Sequence, residues 1–526
     1  RASRASHRIE QVNMSEAWQQ AFARVPELLA AHVQLSFSAL LLALAICLPL
    51  AICAARAPKF SSVILGFSSL IQTIPALALL ALFYPVLLGI SALVGGGISA
   101  LGFLPALLAL TLYALLPILR NAVTGLTGVD PAIKQAADGL GMTSMQKLRL
   151  VEAPLAAPTI MAGIRTAAVW TIGAATLSTT VGQASLGDMI FAGLQTQNWT
   201  LVLAGCFASA GLAIIVDLLL GIIEKAMAAR HKFRGWVATG LLAIGLIIAL
   251  LPTFQSREDI VVIGAKGFSE QYILARLVGS RLEKAGYAVE YRDGLGSAVL
   301  FQAVAAGDID VSIDYSGTIW TNQMKREDAI PTDQMLEDIR SWAKDRYGVA
   351  MVGALGFENT YAFAVRPEDA ASKGLQSLDD LARVSSQFAF GTDLEFLERP
   401  EWKMVKAAYP LRFKEARSFN PTFMYPALAS GDVDVISAFS SDGRIAANGF
   451  IVLADGKGAV PSYEAMLMIS SRRDADEQFV SAVKPLIGAI TVETMREANY
   501  MVDRDQDKKS PRQAALWLDS KLREKP

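Results

Sequence analysis

The side chains that could do bond-making chemistry are few and unevenly placed. The cysteines are Cys47, Cys53 and Cys206, and the histidines are His7, His32 and His231. All six lie in the first half of the 526-residue chain. The second half therefore offers no disulfide framework, no thiol nucleophile, and neither a histidine-bearing zinc site nor a Ser-His-Asp triad. No G-x-x-x-x-G-K-[ST] loop occurs, so the chain has no Walker-type nucleotide site. What the second half does repeat is an aromatic side chain at a strand end. Residues 303–316 read AVAAGDIDVSIDYS, residues 427–440 read ALASGDVDVISAFS, and the offset is 124. Each copy reads as a helix end, a Gly-Asp turn and a buried strand that ends at Tyr315 or Phe439. Aromatic faces can hold a cation that donates no hydrogen bonds.

Two lobes that share this unit would set Tyr315 and Phe439 on facing walls of a cleft, because ligands of open α/β sheets bind beyond the carboxyl ends of strands. The surrounding texture agrees. Ile260–Gly264 reads as a buried strand, Ser269-Glu270-Gln271 as the start of a helix, and 288–291 as a second strand. This βαβ rhythm predicts an α/β, two-lobed domain over 257–526, with the second lobe at about 362–460.

The first half differs in kind. Residues 1–256 carry a net charge of +6 and residues 257–526 a net charge of −7. The chain is 53% hydrophobic and 18% charged, with a mean hydropathy of +0.37. Wholly soluble, disordered and coiled-coil classes are excluded. Charge-free windows long enough for apolar helices occur at 33–55, twice within 60–119, at 166–187, at 189–216 and at 235–256. They predict about six membrane spans in residues 1–256, with Gly95-Gly96-Gly97 as a turn. The basic loops at Arg56/Lys59, at 120–165 and at 224–234 then face the cytoplasm, and the acidic half lies outside. The basic N-terminal segment falls outside on this count.

The loop 120–165 contains QAADGLGMTSMQKLRLVEAPLAAPTIMAGIR at 135–165. It reads as a short helix, a glycine-permitted turn, a second helix and a proline-marked return to the membrane. It resembles the coupling loop of ABC importer permeases, whose signature is E-A-A-x(3)-G. Gln135, Ala136 and Ala137 stand in for E-A-A and Gly141 sits near the expected glycine, with Asp138 and Gly139 between, so the acidic residue is lost. The run P-L-A-x-P-x-I-x-A-G-I-R that follows is similar to the permeases of quaternary-amine importers.

The acidic half resembles the binding domain of osmoprotectant ABC importers for glycine betaine, choline and carnitine, a group that includes ergothioneine importers with a fused permease and receptor. VVIGAKGFSEQYIL at 261–274 corresponds to that family's G-S-K-x-F-T-E-Q, and DYSGTIWTN at 314–322 to E-Y-T-G-T. ENTYAFAV at 358–365 corresponds to N-x-Y-x-L-A-V; EFLER at 395–399 and Ser462-Tyr463 also fit. The resemblance implies a ligand cage of Tyr315, Tyr361, Phe439 and Tyr463. It implies polar partners Lys266, Thr318, Asn359 and Arg399, with Trp402 as a further wall. Phe439 stands where the family usually has tyrosine. Arg399 would receive a ligand carboxylate, or pair with Glu395 or Glu398.

The whole is expected to be a helical type I importer permease joined to a periplasmic-binding-protein-like receptor. It is expected to be a multi-pass protein of the cytoplasmic membrane that works as a homodimer among lipids and handles no nucleic acid. The chain is expected to be no enzyme and to hold no cofactor or metal, with ATP and magnesium on a separate cytoplasmic ATPase. An importer of an amino acid or other polar solute, and a membrane-anchored solute sensor, stand as alternatives. The ligand itself is left open among glycine betaine, choline, carnitine and ergothioneine.

Overall fold

The computed structural model describes residues 18–19, 21–94, 98–196, 198–229, 232–251, 260–326, 328, 330–504 and 506–524. They form two compact units, one of residues 1–190 with 200–256 and one of residues 191–199 with 257–526.

The first unit is helical. Its elements are α1 (Val25–Arg56), α2 (Pro58–Thr73), α3 (Ala76–Leu93), α4 (Phe103–Thr127), α5 (Pro131–Gly139), α6 (Ala153–Ala175), α7 (Trp199–Ala228) and α8 (Lys232–Leu250). Among the described residues, five helices are long and apolar enough to cross a membrane, and the pair α2–α3, bent by 100°, makes a sixth if it counts as one span. The packing explains the close approach of α1 to α4 and α6. Ala39, Ala43, Cys47, Ala51 and Ala54 recur on one buried face of α1, and small side chains let helix backbones meet.

Several boundaries differ from those predicted. The first span begins at Val25, with Pro26 in its first turn, rather than at residue 33. The chain within 60–119 is broken at Ile74-Pro75, where proline lacks the donor that a continuing helix needs. The glycine turn at 95–97 lies outside the described residues. The predicted loop 120–165 is largely helix. α4 runs to Thr127 and α6 starts at Ala153, so the connection shrinks to 128–152. The window at 189–216 is split into a short helix, Gly187–Gln195, and α7. Charge-free windows misplace α6 and α7 because both helices carry charges that pair. Arg165 donates to Asp217 at 2.6 and 2.8 Å and to Glu224 at 3.3 Å. A neutralised cluster lets the helices run on past the charges.

The connection between α4 and α6 is ordered by its own hydrogen bonds. The Asp130 carboxylate caps α5 by accepting from the Ala132 N–H at 2.8 Å. Thr143 and Gln146 form a reciprocal cap on the next turn. Gly141 between them adopts φ +72°, a left-handed conformation that glycine takes without strain. Lys147 donates to Asp138 at 2.6 Å, and Arg56 at the end of α1 donates to buried Glu152 at 2.8 Å. Ile133, Leu140, Met145 and Leu150 remain exposed on this knob.

The second unit holds two five-stranded sheets. The strands are β1 (Ile260–Lys266), β2 (Ala288–Leu295), β3 (Val311–Tyr315), β4 (Ala350–Glu358), β5 (Tyr361–Val365), β6 (Ala389–Thr392), β7 (Glu415–Ser418), β8 (Val435–Phe439), β9 (Ile451–Leu453) and β10 (Glu464–Ile469). Their orders are β2-β1-β3-β10-β4 and β7-β6-β8-β5-β9. The two orders correspond position by position. In each sheet the third strand closes the repeat, and its neighbour is an antiparallel strand arriving from the other lobe, β10 in one and β5 in the other.

The repeat is structural as well as sequential. Helices α9 (Ser269–Lys284), α10 (Ser297–Ala306) and α11 (Pro421–Ser430) cover the sheets, and α10 and α11 are again 124 residues apart at both ends. Gly307 and Gly431 end these helices with φ +77° and +82°. The next acidic pair does the same work twice. Asp310 accepts from the Val262 N–H and Asp434 from the Ala389 N–H, both at 2.9 Å, and each ties the start of the neighbouring strand. An arginine from outside the unit meets each, Arg473 at 3.3 Å and Arg366 at 2.9 Å. Asp310 is fully buried, whereas the Asp434 side chain is about one-third exposed. Replacing either by alanine is expected to lower the unfolding free energy by roughly 1–3 kcal/mol, with the larger loss at Asp310. Urea unfolding measures the total, and hydrogen exchange should confine each loss to its own lobe.

Candidate functional site

The carboxyl ends of β1, β3, β6 and β8 deliver Lys266, Tyr315, Asp393 and Phe439 to one place. β5 and β10 run the opposite way, so their first ends bring Tyr361 and the adjoining Tyr463 to the same edge. Together these residues line a cavity of about 280 Å³ with Phe268, Gly294, Ser297, Thr318, Asn359, Glu395, Arg399 and Asn420. Eight of the nine side chains predicted for the site therefore meet there.

The aromatic rings form a connected set. Phe268 lies parallel to Phe439 with centroids 6.0 Å apart and stacks on Tyr315 at 6.3 Å. Tyr361 meets Phe439 at 5.2 Å and turns its edge to Tyr463 at 6.1 Å. The backbone N–H of Phe439 donates to the Tyr425 hydroxyl at 3.0 Å, which holds that strand end. Gly317 lets Tyr463 lie against the turn after β3, because a Cβ at that position would overlap the Tyr463 ring.

The ninth residue goes elsewhere. Trp402 packs into the second-lobe core against Phe390, Phe396 and Phe413, with centroids 5.4–6.2 Å apart, and lines no part of the cavity. Its nearness to Arg399 in sequence does not carry over, because Pro400 opens a new helix after Arg399 and turns Trp402 to its buried face. Phe268, Glu270, Asp393 and Glu401 were not predicted as site residues. Phe268 and Glu270 stand inside the quoted motif GFSEQ, which is the signal that could have found them.

The polar groups are more heavily engaged than the sequence suggests. Lys266 donates to Asp314 at 2.6 Å, and its ammonium stands 5.0 Å from the Tyr315 ring centroid. Arg399 is shared among three acceptors: Glu401 at 3.1 and 3.3 Å, Glu395 at 3.2 Å and the Thr318 hydroxyl at 3.3 Å. Of the pairs considered from sequence, Glu395 is realised, and Glu401 is added. Glu401 is fully buried and also accepts from Tyr463 and Thr321. Burial pushes its carboxyl up, but the Arg399 charge and the hydroxyl bonds overcome this and hold it below the ordinary range. The Glu395 side chain is about half exposed, so it is the exchangeable partner.

Beneath the rings lies Glu270, 2% exposed. Its Oε1 accepts from the Tyr315 hydroxyl at 2.6 Å and from Asn359 Nδ2 at 3.0 Å. Its Oε2 accepts from the Ser441 hydroxyl at 2.5 Å and from Asn499 Nδ2 at 3.0 Å. Burial raises the Glu270 pKa, and all four donors oppose that shift. Burial and the facing carboxylate hold the Tyr315 hydroxyl well above its usual pKa, so it remains a neutral donor. Gln271 Nε2 donates to that same hydroxyl at 2.9 Å. Tyr315 is thereby left with its ring face for the cavity.

Charge around the cavity is unbalanced. Two cations, Lys266 and Arg399, stand among Asp314, Glu395, Glu401, Asp393 and Glu270. A surplus of carboxylates beside aromatic faces suits a cationic group that needs no hydrogen bond.

Comparison of the sequence with known families agrees with the division into two units. The model of the substrate-binding domain of ABC-type glycine betaine transport systems matches residues 259–520. The model of the inner membrane component of binding-protein-dependent transport systems matches residues 47–229. The chain is 32% identical over 473 residues to the ergothioneine transport permease/ergothioneine binding protein of Helicobacter pylori (strain G27), covering 86% of this chain and 82% of that one. It is 39% identical over 194 residues to a glycine betaine/carnitine/choline transport system permease of Bacillus subtilis (strain 168), covering 37% of this chain and 84% of that one. Among solved structures, a glycine betaine/carnitine/choline ABC transporter is 27% identical with a TM-score of 0.44, over 50% of this chain and 98% of that one. Two matched models and a relative aligned through both units identify the chain as a fused permease and substrate-binding protein of the glycine betaine/choline/carnitine/ergothioneine ABC transport family.

Proposed function

We propose that this chain is the membrane and receptor subunit of an ATP-driven importer for an amino-acid betaine, with ergothioneine as the first candidate. The observation that carries the reading is the five-ring set of Phe268, Tyr315, Tyr361, Phe439 and Tyr463 around a cavity also lined by Asp393, Glu395, Lys266 and Arg399. A trimethylammonium group fits such rings, each worth about 0.5–2 kcal/mol when desolvated. The ligand carboxylate takes the place of Glu395 on Arg399, while buried Glu401 keeps the guanidinium in position. Ergothioneine is favoured because the relative aligned over most of the chain, with the same fused layout, carries that name.

In this reading the receptor unit is extracytoplasmic and the helical unit lies in the cytoplasmic membrane, its exposed apolar side chains against lipid or a second copy. Two copies form the pathway. A separate cytoplasmic ATPase binds ATP and magnesium, and the chain itself catalyses no reaction. The knob between α4 and α6, including Ala136, Ala137, Asp138, Gly139 and Gly141, docks on that ATPase through exposed Ile133, Leu140 and Met145.

Calorimetric titration of the full chain in nanodiscs tests the ligand class. Ergothioneine and glycine betaine should bind, and proline should not. Tyr315→Ala should weaken binding by about 1–2 kcal/mol or more. Arg399→Ala should weaken both betaines far more than choline, which has no carboxylate; equal losses would show that Arg399 only holds the fold. Gly317→Ala should displace Tyr463 and lower affinity for every quaternary amine alike, with thermal unfolding still cooperative. Gly141→Val has open space around it but a strained φ, so it should leave binding intact and abolish ligand-stimulated ATP hydrolysis in the assembled transporter. Unchanged hydrolysis would remove the docking role of the knob.

A further inference from the structure

Among the described residues, two acceptors at the cavity have no donor. Asp393 follows β6 at the cavity edge and is 5% exposed. Its Oδ1 accepts from the backbone N–H groups of Glu395 at 2.8 Å and Phe396 at 3.0 Å, which secures the loop. Its Oδ2 is buried and has no hydrogen-bond partner among the described residues. Asn359 is 6% exposed and lines the same cavity. Its Nδ2 donates to Glu270, which fixes the amide orientation and leaves Oδ1 as a second buried acceptor without a partner. The bonds of the nearby Arg399 guanidinium go to Glu401, Glu395 and Thr318 rather than to Asp393.

We propose that Asp393, with Asn359, is a specificity site that selects a betaine bearing a hydrogen-bond donor on its tail, a ring N–H or a hydroxyl. The inference rests on the betaine reading above. The argument is one of satisfiability. Buried polar atoms are costly to leave unpaired, and nearly all find partners in folded proteins. Both open groups are acceptors, so the partner must donate. A trimethylammonium and a carboxylate have no N–H or O–H, so glycine betaine can fill the ring set and reach Arg399 but satisfies neither Asp393 nor Asn359. A heteroaromatic N–H or a hydroxyl supplies what is missing. Sites built around such a bond reject the analogue that lacks it, because the site's own polar group is then stranded.

The test uses two ligand pairs with the full chain in nanodiscs. Carnitine and γ-butyrobetaine differ only in a hydroxyl, and ergothioneine and glycine betaine differ in the ring-bearing tail. Wild-type protein should favour the donor-bearing member of each pair. Asp393→Asn keeps the loop-capping oxygen and turns the other position into a donor. It should weaken carnitine and ergothioneine on the order of tenfold or more, and shift γ-butyrobetaine and glycine betaine by less than about twofold. Equal losses within each pair would make Asp393 a loop-capping residue only and overturn the proposal. Absence of preference in the wild-type protein would overturn it as well. If none of the four ligands binds, the betaine reading itself falls and this inference with it.

Discussion

The receptor unit depends on a buried carboxylate that lies behind the cavity wall. Glu270 accepts hydrogen bonds from four side chains that belong to four different places: a strand end, a lobe crossing, a second-lobe turn and a late helix. Each oxygen takes two donors, so the group is saturated. An amide there would turn an N–H toward other donors, and a hydrophobic residue would strand all four. The same saturation makes the burial of a charge tolerable, since hydrogen bonds replace the lost hydration. Because Tyr315 and Asn359 are two of the four, the ring set and the polar rim inherit their positions from this one group.

The second organising constraint is the duplicated unit. A helix, a left-handed glycine, an acidic tie to the neighbouring strand and an aromatic strand end occur twice, 124 residues apart. Two copies of one solution bring two aromatic strand ends, Tyr315 and Phe439, to the same cavity. The site arises because each unit is incomplete at its strand end, and what is left open there is an aromatic face.

How much of this could be read in the sequence follows from how local each feature is. The repeat was legible because every part of it lies within a short window, and the pairing of Tyr315 with Phe439 followed from it. Most of the side chains brought together at the cavity stand in the motifs quoted from the sequence. Glu270 was not legible, although it stands in one of those motifs. A carboxylate in the first turn of a helix reads as a dipole partner, and its burial depends on residues 89, 171 and 229 positions away. Glu401 escaped for the same reason, since Thr321 and Tyr463 bond to it from 80 and 62 positions away. Trp402 was misread because proximity to Arg399 along the chain says nothing about which side of α-helical Pro400–Ala408 it faces. In the helical unit, windows free of charge found the number of spans better than their limits. The pairing of Arg165 with Asp217 and Glu224 is invisible to a window.

The chain passes between the lobes twice, from β4 to β5 and from β9 to β10, and these passages are bonded to each other by the Asn359 N–H on the Tyr463 carbonyl at 3.0 Å. Asn359, Tyr361 and Tyr463 therefore border the ligand cavity and form the joint between the lobes at once. In such an arrangement the joint cannot twist while its side chains are held by a ligand. Residence time becomes a mechanical property of the joint as much as of the contacts. Substitutions that ease the joint should then raise association and dissociation rates together, and so change the speed of exchange more than the equilibrium affinity.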